Sequence, residues 1–127
     1  MDNIEWSDFE KVHLAVGTII DVNEFPEARK PAYKLTIDFG DKIGIKKSSA
    51  QITHHYTRQQ LIGKQIIAVV NFSNKQIGPF MSECLVTGFH DENNQVILAV
   101  PDNIQTKPSM SDKVLHENTV PNGTKLV

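Results

Sequence analysis

Strict period-two alternation is the feature that constrains this chain most. In VHLAVGTIIDV, residues 12–22, Val12, Leu14, Val16, Thr18, Ile20 and Val22 share one face of an extended segment. YKLTIDF, residues 33–39, repeats the device with Tyr33, Leu35, Ile37 and Phe39. KIGIKK, residues 42–47, follows the Gly40-Asp41 turn and reads as the hairpin partner of that second strand. Gly17 marks a bulge or sharp bend in the first strand. EFPEARKPA, residues 24–32, is a charged loop punctuated by two prolines.

The period changes after Lys47. Ser48-Ser49-Ala50-Gln51 and Thr57-Arg58-Gln59-Gln60 both have capping-box form, as does Ser7-Asp8-Phe9-Glu10 near the start. Residues 49–62 therefore read as one or two short helices, ending at Gly63. QIIAVVNF, residues 65–72, is apolar enough to be a strand covered on both sides. FMSECLVTGF (80–89) reads as a further strand, DENN (91–94) as a turn and QVILAV (95–100) as its partner. The result is an all-β, β-rich chain. Three strands, a short helix and two strands make a five-stranded OB-fold barrel with the helix between strands 3 and 4, flanked by N- and C-terminal extensions. The length of 127 residues fits one domain. No apolar run is long enough for a membrane helix, and the start lacks the apolar core of a secretory signal, so membrane insertion is not expected. Cys84 is the only cysteine, which suits a reducing, cytoplasmic setting.

Enzyme chemistry has little to work with. No phosphate-cradling glycine loop or nucleophile elbow is present. Cys84 lies mid-strand, where a small core residue is expected rather than a nucleophile. The five histidines bring no cysteine or carboxylate partners at metal-ligand spacing. The expectation is a protein without catalysis, cofactor or metal.

Two constellations suit binding instead. The net charge is −2, yet residues 25–90 carry nine bases against four acids. Within that segment Lys46-Lys47-Ser48-Ser49 leads from a strand towards an expected helix start, where free N–H groups favour an anion. Simple capping by Ser48 accounts for the same residues. The second constellation is NFSNKQIGPFMSECLV, residues 71–86. Lys75 stands in the connection, and Ile77, Phe80 and Met81 crowd around Gly78-Pro79. In an OB-fold the connection between the fourth and fifth strands borders the usual ligand face. These apolar residues either plug the end of the barrel or stay partly exposed to hold apolar peptide side chains.

VGTIIDVNEFPEARKPAYKLTIDFGDKIGIKKSSAQIT (16–53), LIGKQIIAVVNF (61–72), KQIGPFMSECLVTG (75–88) and VPNGTKLV (120–127) resemble the tRNA-binding-domain family, and within it the CsaA-type export-related chaperones. The resemblance implies an OB-fold core and a homodimer whose terminal segments build the interface. It implies a chaperone that binds unfolded or precursor polypeptides in protein export, or a structure-specific tRNA-binding accessory to aminoacyl-tRNA synthetases. The family's tRNA-binding pattern maps onto Ser49, Asn71, Lys75 and Ser82, with Lys46 and Lys47 adding charge. Phe72, Ile77, Phe80 and Met81 suit the peptide-holding role by their chemistry. Against the family pattern, Asn74 stands where proline is common and Pro79 where a polar residue is common. The expected organisation is a single domain over 1–127, with residues 1–11 as an N-terminal extension and 103–118 as an insertion near the dimer interface.

Overall fold

The computed structural model describes residues 1–104 and 120–127, so most of the expected 103–118 insertion lies outside the described residues. The central sheet uses β1 (Leu14–Glu24), β2 (Tyr33–Asp38), β3 (Ile45–Ala50), β4 (Gln65–Val69) and β7 (Leu85–Val86), in the order β3-β2-β1-β4-β7. All four ladders are antiparallel. The ends of this sheet approach each other. The Glu83 N–H donates to Lys47 O at 2.7 Å, and the Lys47 N–H donates to Glu83 Oε1 at 3.0 Å. The barrel is thus nearly closed, and the OB-type, β-rich reading holds.

Two further hairpins decorate it. β5 (Lys75–Ile77) pairs with β6 (Phe80–Ser82), and β8 (Gly88–His90) with β9 (Val96–Leu98). The helices are short: α1 (Trp6–Glu10), α2 (Gly40–Ile43) between β2 and β3, and α3 (Arg58–Leu61) between β3 and β4. No helix among the described residues is long and apolar enough to cross a membrane.

The alternation of β2 holds: Tyr33, Leu35 and Ile37 are buried, with Phe39 just beyond. In β1 the expected face holds at Val16 and Val22 but not at Ile20. Ala15 and Ile19 are fully buried, while Ile20 is 45% exposed. The register against β2 shifts between Ile19 and Asp21, so Ile20 is the extra residue of a bulge. One inserted residue inverts the side-chain face, which returns Val22 to the core. On its other edge Ile19 extends the pairing with the chain before β4: its N–H donates to Lys64 O at 2.9 Å and its carbonyl accepts from Gly63 N at 2.7 Å. Gly17 has a different job from the one expected. A Cβ there would lie 2.6 Å from Ile37 Cγ2 and from Phe39 Cδ1, so the absent side chain makes room for the core.

Residues 48–50 belong to β3, and helix appears only at Arg58–Leu61. The Ser48 capping box therefore does not form. Ser48 is buried in the barrel wall and donates to Cys84 O at 3.0 Å. The Thr57 box does form: the Gln60 N–H donates to Thr57 Oγ1 at 3.2 Å, and the Thr57 N–H to Gln60 Oε1 at 2.9 Å. At the N-terminus the helix starts one residue before Ser7, and Asp8 Oδ2 accepts from the Glu5 N–H at 3.0 Å. The single strand expected over 80–89 is split into β6, β7 and β8.

The core gathers Ala15, Ile19, Val22, Leu35, Ile37, Phe39, Ile66 and Ala68 from the sheet, with Ile52, Leu61 and Leu98 closing its ends. The C-terminal tail lies along the first half of β1. The Gly123 N–H donates to Val16 O at 2.7 Å and the Leu126 N–H to Leu14 O at 2.8 Å. Asn122 and the buried Gln65 tie it down: the Gln65 Nε2 donates to Val120 O, and Thr18 Oγ1 donates to Asn122 Oδ1 at 2.8 Å.

Candidate functional site

Hairpin β5–β6 turns on Gly78-Pro79. Gly78 sits at φ +55, the sign that the first central position of a II′-type turn requires and that glycine takes without strain. The register sets which side chains travel together: Lys75 opposite Ser82, Gln76 opposite Met81, Ile77 opposite Phe80. Lys75, Ile77, Phe80 and Ser82 therefore share one face, and Met81 takes the other. Phe80 folds back on Phe25 of the 25–32 loop, their ring centroids 5.5 Å apart. Ile77 and Phe80 are half-buried, whereas Met81 is exposed. The apolar cluster is thus divided. Its inner part rests on the 25–32 loop through Phe25, and its outer part faces solvent.

Beside the base of this hairpin is a hollow of about 260 Å³, lined by Phe72, Ser73, Lys75, Ser82, Cys84 and Leu85. Phe72 and Leu85 are 56% and 51% exposed. The hollow suits one apolar side chain, with the Lys75 ammonium at its rim. Ser82 Oγ already donates to Cys84 O at 3.3 Å. Burial pushes the Cys84 thiol up to about 11, against the opposing effects of Ser48 and Lys46. It is therefore a neutral wall of the hollow rather than a nucleophile.

The outer face of β2–β3 is a second surface. Lys34 stands opposite Ser49 and Thr36 opposite Lys47, while Leu35 and Ile37 point into the core. Lys46 and Lys47 are neighbours on a strand and so point to opposite faces. The expected pair of lysines at a helix start does not exist, because no helix follows Lys47. Lys47 instead joins Lys34, whose ammonium lies 5.6 Å from the Phe25 ring centre. Neither lysine makes an ion pair among the described residues. This face is bordered by the 25–32 loop and by the β5–β6 hairpin, as Phe25–Phe80 and Lys47–Glu83 show.

Asn71 has a structural task. Its Oδ1 accepts from the His13 N–H at 2.9 Å and its Nδ2 donates to Lys11 O at 2.8 Å, which pins the N-terminal segment to the end of β4. Ser49 is half-buried on the β2–β3 face, and Lys75 and Ser82 belong to the apolar hollow. Sequence reasoning missed Lys34, Ser73 and Leu85. Lys34 was legible in the alternation of YKLTID, since it must face away from Tyr33 and Leu35. Leu85 and Ser73 had no such signal, because only the fold brings 72–75 against 82–85.

The family model described as "Putative tRNA binding domain" matches residues 14–107. Among solved structures, the chaperone CsaA of Bacillus anthracis superposes with a TM-score of 0.81 at 42% identity, covering 99% of this chain and all of that one. The CsaA chaperone protein of Picrophilus torridus gives 0.80 at 45% identity, over 98% of this chain and 100% of its own. The methionine–tRNA ligase of Methanococcus aeolicus is 34% identical over 102 residues, which is 80% of this chain. This chain covers only 14% of that enzyme's length, and 16% of the Bacteroides fragilis ligase it matches at 25% identity. On these grounds the chain belongs to the tRNA-binding domain family and is of the CsaA type.

Proposed function

We propose that the protein is a non-enzymatic, homodimeric chaperone that holds unfolded or precursor polypeptides for export from the cytoplasm. The observation that carries this is the apolar hollow, where Phe72 and Leu85 stay exposed beside the Cys84 wall. Burying one client side chain of leucine or phenylalanine size there contributes about 1.5–3 kcal/mol. Lys75 at the rim would attract the carboxylates of a client and repel none of the lining groups. The 42–45% identity to CsaA chaperones supports the same reading. A homodimer is supported by α1, which buries no residue of its own; Trp6 on it is 67% exposed and Ile4, just before it, 72%. In this reading residues 1–11 dock on a second copy.

The second reading is binding of structured tRNA. It rests on the family match and on the β2–β3 face, where the Lys34 and Lys47 side chains make no ion pair among the described residues. The two readings separate by salt. Phosphate contacts release counterions, so RNA affinity falls steeply as salt rises, whereas apolar burial does not. The experiment measures binding of a labelled unfolded polypeptide and of bulk tRNA at low and high salt. Salt-resistant polypeptide binding that is lost on Phe72→Ala with Leu85→Ala supports the chaperone. Salt-sensitive tRNA binding alone, lost on Lys34→Glu with Lys47→Glu, replaces it with the tRNA reading. A monomeric mass in solution at micromolar concentration would refute the dimer.

A further inference from the structure

Residues 1–13 and residues 70–74 hold each other. Among the described residues, every hydrogen bond that leaves the first segment ends on Val70 or Asn71. Every hydrogen bond that leaves the second ends on Lys11 or His13. The Val70 N–H donates to His13 O at 2.9 Å, and the Asn71 amide supplies the other two bonds, to the His13 N–H and to Lys11 O. An amide suits this place because it accepts and donates at once. The remaining contacts of the first segment, the Lys11–Asp8 ion pair and the Trp6–Phe9 ring pair, stay inside it.

Each segment carries one of the two surfaces that the chaperone reading uses. α1 buries no residue and leaves Trp6 exposed for a second copy. Phe72 and Ser73 line the apolar hollow. β4 ends at Val69 and β5 starts at Lys75, so no ladder fixes Phe72. Its side chain is exposed, so packing holds it little either. The nearest fixed point along the chain is Asn71, whose amide reaches 58 and 60 residues back to His13 and Lys11. A second copy that docks on α1 orders residues 1–13. By hydrogen bonds, that order reaches the barrel only at Val70 and Asn71, next to Phe72. A segment already ordered by one partner costs less to order for the next.

We propose that Asn71 is a positioning residue that couples docking of α1 on a second copy to polypeptide binding in the hollow beside Phe72. This coupling rests on the chaperone reading and adds a regulation to it: the dimer holds polypeptide more tightly than the single protomer. Linkage requires the converse, that polypeptide tightens the dimer by the same factor. Trp6 is the only tryptophan, so its emission reports docking of α1 directly. The probe is reduced, carboxymethylated ribonuclease A, an unfolded polypeptide without tryptophan. Self-association of the full chain is followed by Trp6 emission and by sedimentation, with and without saturating probe. Probe affinity is measured below and above the association midpoint. The probe should lower that midpoint about tenfold, and the dimer should bind the probe tighter by the same factor. Asn71→Ala should bring both factors to about one, while self-association and probe binding each persist. Phe72→Ala should weaken probe binding and leave the midpoint without probe unchanged. A merely structural role for Asn71 would lower Tm and leave both factors as they are in the parent, which overturns the proposal. Equal affinity of protomer and dimer for the probe in the parent overturns it as well. Absence of self-association, or of probe binding, overturns the chaperone reading and the coupling with it. Should Asn71→Ala fail to fold, Asn71→Asp decides. It keeps the acceptor for the His13 N–H and loses the donor to Lys11 O, so the factor should shrink, and an unchanged factor overturns the proposal.

Discussion

Hairpin β2–β3 joins six consecutive residue pairs and presses Tyr33, Leu35 and Ile37 into the core. Hairpin β5–β6 joins three pairs and meets the rest of the molecule chiefly through Phe80 on Phe25. Both are apolar in sequence, but the chemistry is spent differently. In the first, alternation sends nearly every large side chain inward, and the outward positions are left to Lys34, Thr36 and Lys47. In the second, three pairs cannot bury their own face, so the hairpin base keeps Phe72, Met81 and Leu85 in solvent. A wall that folds the protein and a rim that can touch something else are thus built from the same kind of strand. The length of the ladder and the burial behind it make the difference.

Substitutions at the wall and the rim should separate stability from binding. Phe39→Ala in the wall should have the greatest effect, about 3–5 kcal/mol of lost stability, read as a fall in Tm or denaturation midpoint. A small effect there would mean that the end of β2 is not core. Gly17→Ala should follow, at about 1–3 kcal/mol, because the new methyl meets Ile37 and Phe39 at 2.6 Å. At the rim, Phe72→Ala with Leu85→Ala should lower polypeptide affinity about tenfold while Tm hardly moves. A large loss of Tm instead would make the rim part of the wall. Lys34→Glu with Lys47→Glu should leave stability and polypeptide binding intact and flatten the salt dependence of any RNA binding by about two contacts.

The weakest effect concerns pH. Hydrogen bonds from Gln95 and then His55 hold the Asp91 carboxyl below its ordinary value. A carboxylate whose folded pKa is depressed contributes stability above its unfolded value, about 3.9, and loses that contribution as pH falls through its folded value. Asp91→Asn should therefore be less stable than the parent at neutral pH, and the gap should close under acidic conditions. A gap that stayed constant with pH would show that the Asp91 charge is not what is lost.

Much of this was readable from the chain. The alternation of Tyr33, Leu35 and Ile37, the apolar run at Gln65–Val69 and the Thr57–Gln60 box all mark what formed. What misled were residues whose local pattern fits two structures. Ser48-Ser49-Ala50-Gln51 has the letters of a helix cap, yet a longer strand gave Ser48 a better partner in the Cys84 carbonyl. Ile20 follows the alternation in letters, but a single bulge moved it to the surface. Asn71 has a structural task that the letters do not show: its amide holds the N-terminal segment.

The same split runs through the candidate sites. Sequence alone determined that the chain is a β-rich barrel, that it is of the CsaA type, and that residues 71–86 hold both charge and apolar bulk. Those properties follow from local periodicity and from long quotable stretches. Tertiary structure decided which of Ile77, Phe80 and Met81 turns outward, that Lys46 and Lys47 part company while Lys34 joins Lys47, and that Asn71 reaches Lys11 and His13. The physical reason is that strand register and bulges act through pairing with distant segments. A one-residue difference in that pairing exchanges the inside of the barrel for its outside.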